Sequence, residues 1–161
     1  MPERARPDPA TLRYHVLSTG AYEADVRKHS SADYEGFILP GAYYNRMRHA
    51  LVTSEAMLAA ATNPAKSWRA RVYRYKARLL FGHEGGHAED AENGTALFRH
   101  PTDLDQDKGG SMQGHAWRVG FDLRAASWTL RWRVGKWRRT HRRAIAILHA
   151  PGGVVRGPWP Q

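Results

Sequence analysis

No cysteine occurs anywhere in this chain, so no disulfide, thiolate metal ligand or cysteine nucleophile is available. Packing and hydrogen bonding alone must hold the fold. With 161 residues, the chain can bury one sizeable core without such staples, and a single domain is expected. The lack of cysteine is compatible with a reducing compartment. No apolar run reaches the length of a bilayer span, and the segment Met1 to Pro9 carries charge with no apolar stretch behind it. A cytoplasmic protein with no membrane partner is the expectation.

Along the chain, residues 1 to 10 read as an extended, flexible arm, because three prolines and alternating charge cannot offset the entropy of ordering. Residues 11 to 150 read as one basic α+β domain and residues 151 to 161 as an irregular tail. Leu12 to Leu17 reads as a first strand. From Ala42 to Ala61, apolar residues recur at three- and four-residue steps and predict a long amphipathic helix. Asn63-Pro64 reads as the start of a second helix, with Ala65, Trp68, Val72, Tyr75 and Leu79 on its buried face and Gly82 ending it. Residues 83 to 112 hold seven of the fifteen acids in glycine-rich surroundings and read as a long acidic loop. Ala116 to Leu123, Trp128 to Trp137 and Arg143 to His149 carry strand-forming residues. The predicted fold is therefore α+β, with two amphipathic helices packed on an antiparallel sheet whose three C-terminal strands are contiguous.

Lysine and arginine number 25 against 15 acids, for a formal charge of +10 and an isoelectric point near 10.4. Such a balance points to nucleic acid as a partner, and six tryptophans add rings that can stack on bases, which favours RNA over DNA. Lys66, Arg69, Arg71, Arg74, Lys76 and Arg78 decorate the second helix with no acid among them. In the C-terminal third, Arg118, Arg124, Arg131, Arg133, Lys136, Arg138, Arg139, Arg142 and Arg143 form the predicted nucleic-acid-binding face, since arginine forks match phosphate. The plainer reading is a solvated face, or one neutralised within the molecule by the acidic segment.

The run Trp117-Arg118-Val119, Leu123-Arg124 and Trp128-Thr129-Leu130-Arg131-Trp132-Arg133-Val134, with the order of strand, two helices and three strands, resembles the RelE/ParE toxin superfamily over residues 113 to 149. That resemblance implies an RNA-cleaving toxin. Arg118, Arg124, Arg131 and Arg133 would bind phosphate, and His141 and His149 would carry protons as catalytic residues. The alternative from another class is a phage or virion structural or inhibitory protein that binds nucleic acid or a nucleic-acid-binding enzyme.

His83-Glu84-Gly85-Gly86-His87 spells the H-E-x-x-H motif of zinc peptidases, in which a helix sets both histidines on one face. It supplies a further alternative, a metal-dependent hydrolase. Two central glycines are poor helix material and the segment follows a helix stop, so a loop that happens to carry the motif is the expected reading. No metal or cofactor is assigned on that basis. Asp103, Asp105 and Asp107 have calcium-loop spacing, but Lys108 replaces the turn glycine and Gly114 the closing glutamate, which rejects an EF-hand. Tyr14-His15-Val16-Leu17-Ser18 faintly resembles the first strand of ADP-ribosyltransferases, and His15 reads as an ordinary surface or core-edge histidine.

Overall fold

The computed structural model describes residues 5–29, 41–94 and 126–158, with side chains placed at 5–26, 41–94 and 135–158. A short 3-10 turn, Pro9–Thr11, leads into β1 (Arg13–Leu17) and α1 (Thr19–His29). A hairpin of β2 (Ala42–Asn45) and β3 (Ala50–Ser54) follows, then α2 (Glu55–Thr62) and α3 (Trp68–Glu92). The described chain closes with α4 (Ala126–His149) and β4 (Val154–Arg156). Helices and a mixed sheet make the molecule α+β, and among the described residues no helix is long and apolar enough to cross a membrane.

The sheet has the order β2-β3-β1-β4. β1 runs parallel to both β3 and β4, and β2 is antiparallel to β3. Every residue of β2 and β3 is buried, as in sheets covered on both faces. Tyr14 and Val16 point into the larger core with Tyr44 and Leu51, against Leu58 of α2, Phe81 and Ala88 of α3, and Ala144 and Leu148 of α4. Leu17, Tyr43 and Val52 pack on the other face with Tyr22 and Val26 of α1. Tyr14 ties the layers together. Its ring meets Phe81 edge-on at 5.0 Å, its hydroxyl donates to the Ala144 carbonyl at 2.9 Å, and burial pushes its ionisation well above the usual phenol range.

Several expectations are corrected. The antiparallel sheet is mixed, and the tail beyond residue 150 contributes β4 to it. The segment 42 to 61 is a hairpin followed by a two-turn helix. Tyr43, Tyr44, Leu51, Val52 and Thr53 prefer strands, and Asn45 Oδ1 accepts from the Arg48 amide at 3.1 Å to close the turn before His49, whose φ is 45°. Helical spacing misled here because both strand faces are buried, so the apolar run shows no alternation. The next helix begins later and ends later than predicted. Ser67 caps it, accepting from the Ala70 amide at 3.2 Å, and it continues through Gly82 to Glu92.

Two predicted C-terminal strands, Trp128 to Trp137 and Arg143 to His149, lie within the single helix α4, while Ala116 to Leu123 falls outside the described residues. Two of the alternating apolar positions, Leu130 and Val134, also obey i, i+4, i+7 spacing with Trp137, and no proline interrupts the 24 residues. Arginine and alanine favour helix over strand. Thr140, Ala144 and Leu148, four residues apart, form the buried seam of α4.

Candidate metal centre

The H-E-x-x-H segment sits in the middle of α3, in unbroken helix. The expectation of a loop over 83 to 112 is overturned for its first ten residues, while 95 to 112 lie outside the described residues. Packing accounts for Gly85 of the motif and for Gly82 just before it. A Cβ on Gly85 would stand 3.2 Å from the Thr140 carbonyl oxygen of α4, and one on Gly82 would stand 3.1 Å from the His141 Cα. These two positions let α4 approach closely. Tertiary packing of α3 between the sheet and α4 then outweighs an intrinsic helix cost of about 1 kcal/mol per glycine. A Cβ on Gly86 would meet nothing within 4 Å.

Helical geometry carries His83 and His87 to one face, one turn apart. Their Nε2 atoms are 3.1 Å apart and their rings meet nearly perpendicularly, at 82°, with centroids separated by 4.8 Å. His87 is buried and His83 half-buried. At that separation the two Nε2 atoms cannot both carry a proton, so at least one presents a lone pair to the other's side. Tetrahedral zinc takes histidine nitrogen at about 2.0–2.1 Å, which sets two ligand nitrogens about 3.3 Å apart. The pair fits that geometry. Among the described residues, no group of three or more metal-ligating side chains converges.

Glu84 is 1 % exposed, and its Oε2 accepts from the Tyr44 amide of β2 at 2.9 Å. Burying a carboxylate is costly unless it is bonded. This contact therefore fixes the motif's acid against the strand that lies at the β2 end of the described sheet.

The C-terminal third of α3 faces α4 through charge. Glu89 takes the Arg139 fork, Asp90 pairs with Lys136, and Glu92 accepts from Arg143 at 2.6 and 2.7 Å. Arg143 also donates to the Pro9 carbonyl at 2.9 Å. Glu92 is nearly buried, and His49 Nε2 lies 2.9 Å from it, within ion-pair reach but out of line for a hydrogen bond. His49 Nδ1 meets the Tyr44 hydroxyl at 2.7 Å. Burial holds His49 below the usual imidazole range, with Glu92 opposing that shift.

These contacts separate the predicted nucleic-acid residues. Lys136, Arg139 and Arg143 are paired with acids of the same chain, while Arg138 and Arg142 are exposed. Arg131 and Arg133 fall on the helix rather than on a strand, with side chains outside the described set, and Arg118 and Arg124 lie outside the described residues. His141 stacks on Trp137 at 5.2 Å with its Nδ1 buried and unbonded, and burial lowers its proton affinity, aided by Arg78. His149 is exposed at the helix end. Eight residues of helix put His141 and His149 about 12 Å apart along the axis. What sequence reasoning missed is the helix around His83 and His87; the motif spelling was the signal, and the glycines hid it.

No protein-family model, curated protein or solved structure matches this chain.

Proposed function

We propose that the chain is a metal-dependent hydrolase acting on an amide bond of an extended polypeptide, with His83 and His87 as metal ligands and Glu84 as general base. The observation that carries this reading is the 3.1 Å separation of the two Nε2 atoms on one face of an unbroken helix. Zinc held there would supply Lewis acidity and lower the pKa of water at the site toward neutrality. The chain's own residues supply the rest. His83 and His87 hold the ion through Nε2. Glu84, anchored to the Tyr44 amide, takes the attacking water's proton on its carboxylate and passes it to the leaving nitrogen. A catalytic zinc takes three protein ligands, and among the described residues His83 and His87 are the two that the reading assigns.

The test is cleavage of an unfolded protein such as casein by the purified chain. Cleavage that stops with a chelator, returns with zinc, and falls by about a hundredfold or more in Glu84→Gln with zinc content retained supports the proposal. Glutamine keeps an oxygen for the Tyr44 amide, so the fold should survive. Cleavage indifferent to the chelator, or an unchanged rate in Glu84→Gln, would overturn it.

A further inference from the structure

The six cations of the segment from Lys66 to Arg78 divide into two sets. Arg74 donates to the carbonyls of Asn63 and Ala65, and Arg78 to that of Ala61, so these two fasten the junction between α2 and α3. Lys66, Arg69, Arg71 and Lys76 are exposed, and among the described residues no carboxylate pairs with any of them. Of the four acids of α3, Glu89, Asp90 and Glu92 pair with α4 at its other end, and Glu84 accepts from the Tyr44 amide of β2. Between the four cations stand three aromatic rings held out to solvent: Trp68 is 80 % exposed, Tyr75 63 % and Tyr73 51 %. Arg69 lies 5.7 Å over the Tyr73 ring.

At about 100° per residue, helical spacing sets these groups in two stripes about 130° apart, both turned away from the buried side. Arg71, Tyr75 and Trp68 share one stripe, and Lys76, Arg69 and Tyr73 the other, while Ala70, Ala77 and Phe81 occupy the buried side. Like charges at these spacings repel by a few tenths of a kcal/mol each, and a large exposed tryptophan gives up the gain of burial. Both costs are relieved by one kind of ligand, a polyanion that carries flat rings. A second copy of this face would bring the same cations against each other. A lipid surface asks for rings and cations segregated on opposite sides of a helix, whereas here they interleave.

We propose that the start of α3 and the residues leading into it, from Lys66 to Lys76, are a docking surface for single-stranded nucleic acid, with Trp68 and Tyr75 stacking on bases and Lys66, Arg69, Arg71 and Lys76 meeting phosphates. Every base offers a ring face and every nucleotide a phosphate, so the surface binds without strong sequence preference. This inference stands apart from the proposed hydrolase site, which lies about 22 Å along the same helix.

The experiment is fluorescence binding of the full chain to oligo(dT) and oligo(U), with duplex DNA and phosphatidylserine vesicles as comparison ligands, across a salt series. The proposal expects both single strands to quench tryptophan fluorescence and to bind with an affinity that falls steeply with salt. Trp68→Ala with Tyr75→Ala should weaken single-strand binding about tenfold or more at unchanged salt slope. Arg69→Gln with Arg71→Gln should weaken it and flatten the slope. All four positions are exposed, so the variants should keep the wild-type circular dichroism and melting temperature. Binding that survives both double variants, binding lost instead on Arg138→Gln with Arg142→Gln, or a preference for duplex or vesicles would overturn the proposal.

Discussion

Gly85 of α3 faces the Thr140 carbonyl of α4 so closely that an added methyl group would stand 3.2 Å from that oxygen. The relationship turns a motif glycine into a packing requirement. Gly85→Ala should destabilise the fold by about 1–3 kcal/mol, because a backbone carbonyl must shift to admit the methyl. Gly86→Ala, which meets nothing within 4 Å, should be neutral or stabilise by up to about 1 kcal/mol. Urea denaturation of the two variants checks the contrast; equal effects would contradict the α3 to α4 packing.

The ion pairs between α3 and α4 should differ sharply in worth. Glu92 is nearly buried and held by both Arg143 nitrogens, so Arg143→Ala leaves a desolvated carboxylate and should cost about 2 kcal/mol or more. Arg139 is 60 % exposed on its side chain, and Arg139→Ala should cost no more than about 1 kcal/mol. Melting temperatures of the two variants at equal ionic strength separate them.

His49 and His141 are both held below the ordinary imidazole value of 6.5, chiefly by burial. Above that value both are neutral in the folded and unfolded chain, and their contribution to stability is complete. As pH falls below 6.5 the unfolded chain takes up protons before the folded one, so stability declines toward the lowered folded values. Replacing both histidines with glutamine should flatten the dependence of unfolding free energy on pH just below 6.5. An unchanged slope would show that neither imidazole is buried neutral.

The Tyr14 hydroxyl spans from β1 to the Ala144 carbonyl of α4. Tyr14→Phe removes the donor and leaves a buried carbonyl without it, which should cost about 1–2 kcal/mol in chemical denaturation with little change in ring packing.

Parts of this architecture are legible in the residues and parts are not. Tyr14, Val16 and Leu17 announce β1, and the H-E-x-x-H spelling announces a pair of histidines on one face once its helix is known. The hairpin at 42 to 54 is hidden because two-sided burial erases alternation at Tyr43, Tyr44, Leu51 and Val52. α4 is hidden because arginines between tryptophans satisfy period two and period four alike. Gly82 and Gly85 look like helix breakers until His141 and Thr140 are seen lying against these two neighbouring turns of α3. No local rule contains that contact, since it joins residues more than fifty positions apart.

The acidic character of 84 to 92 is also clear only in context. Read alone it fits either a solvated segment or one that neutralises the basic face; in the fold, Glu89, Asp90 and Glu92 meet Arg139, Lys136 and Arg143. The basic C-terminal third is thus partly neutralised from within, which shifts attention to the cations left exposed on α3.

The central claim is that His83 and His87 hold a metal ion, and metal content tests it most directly. The purified chain, loaded with zinc and freed of excess by gel filtration, should retain about one zinc per chain, and His83→Ala and His87→Ala should each lose it while keeping the helical circular dichroism. A chain that retains no zinc, or variants that retain it unchanged, would contradict the account and leave the 3.1 Å contact as a hydrogen bond between two histidines.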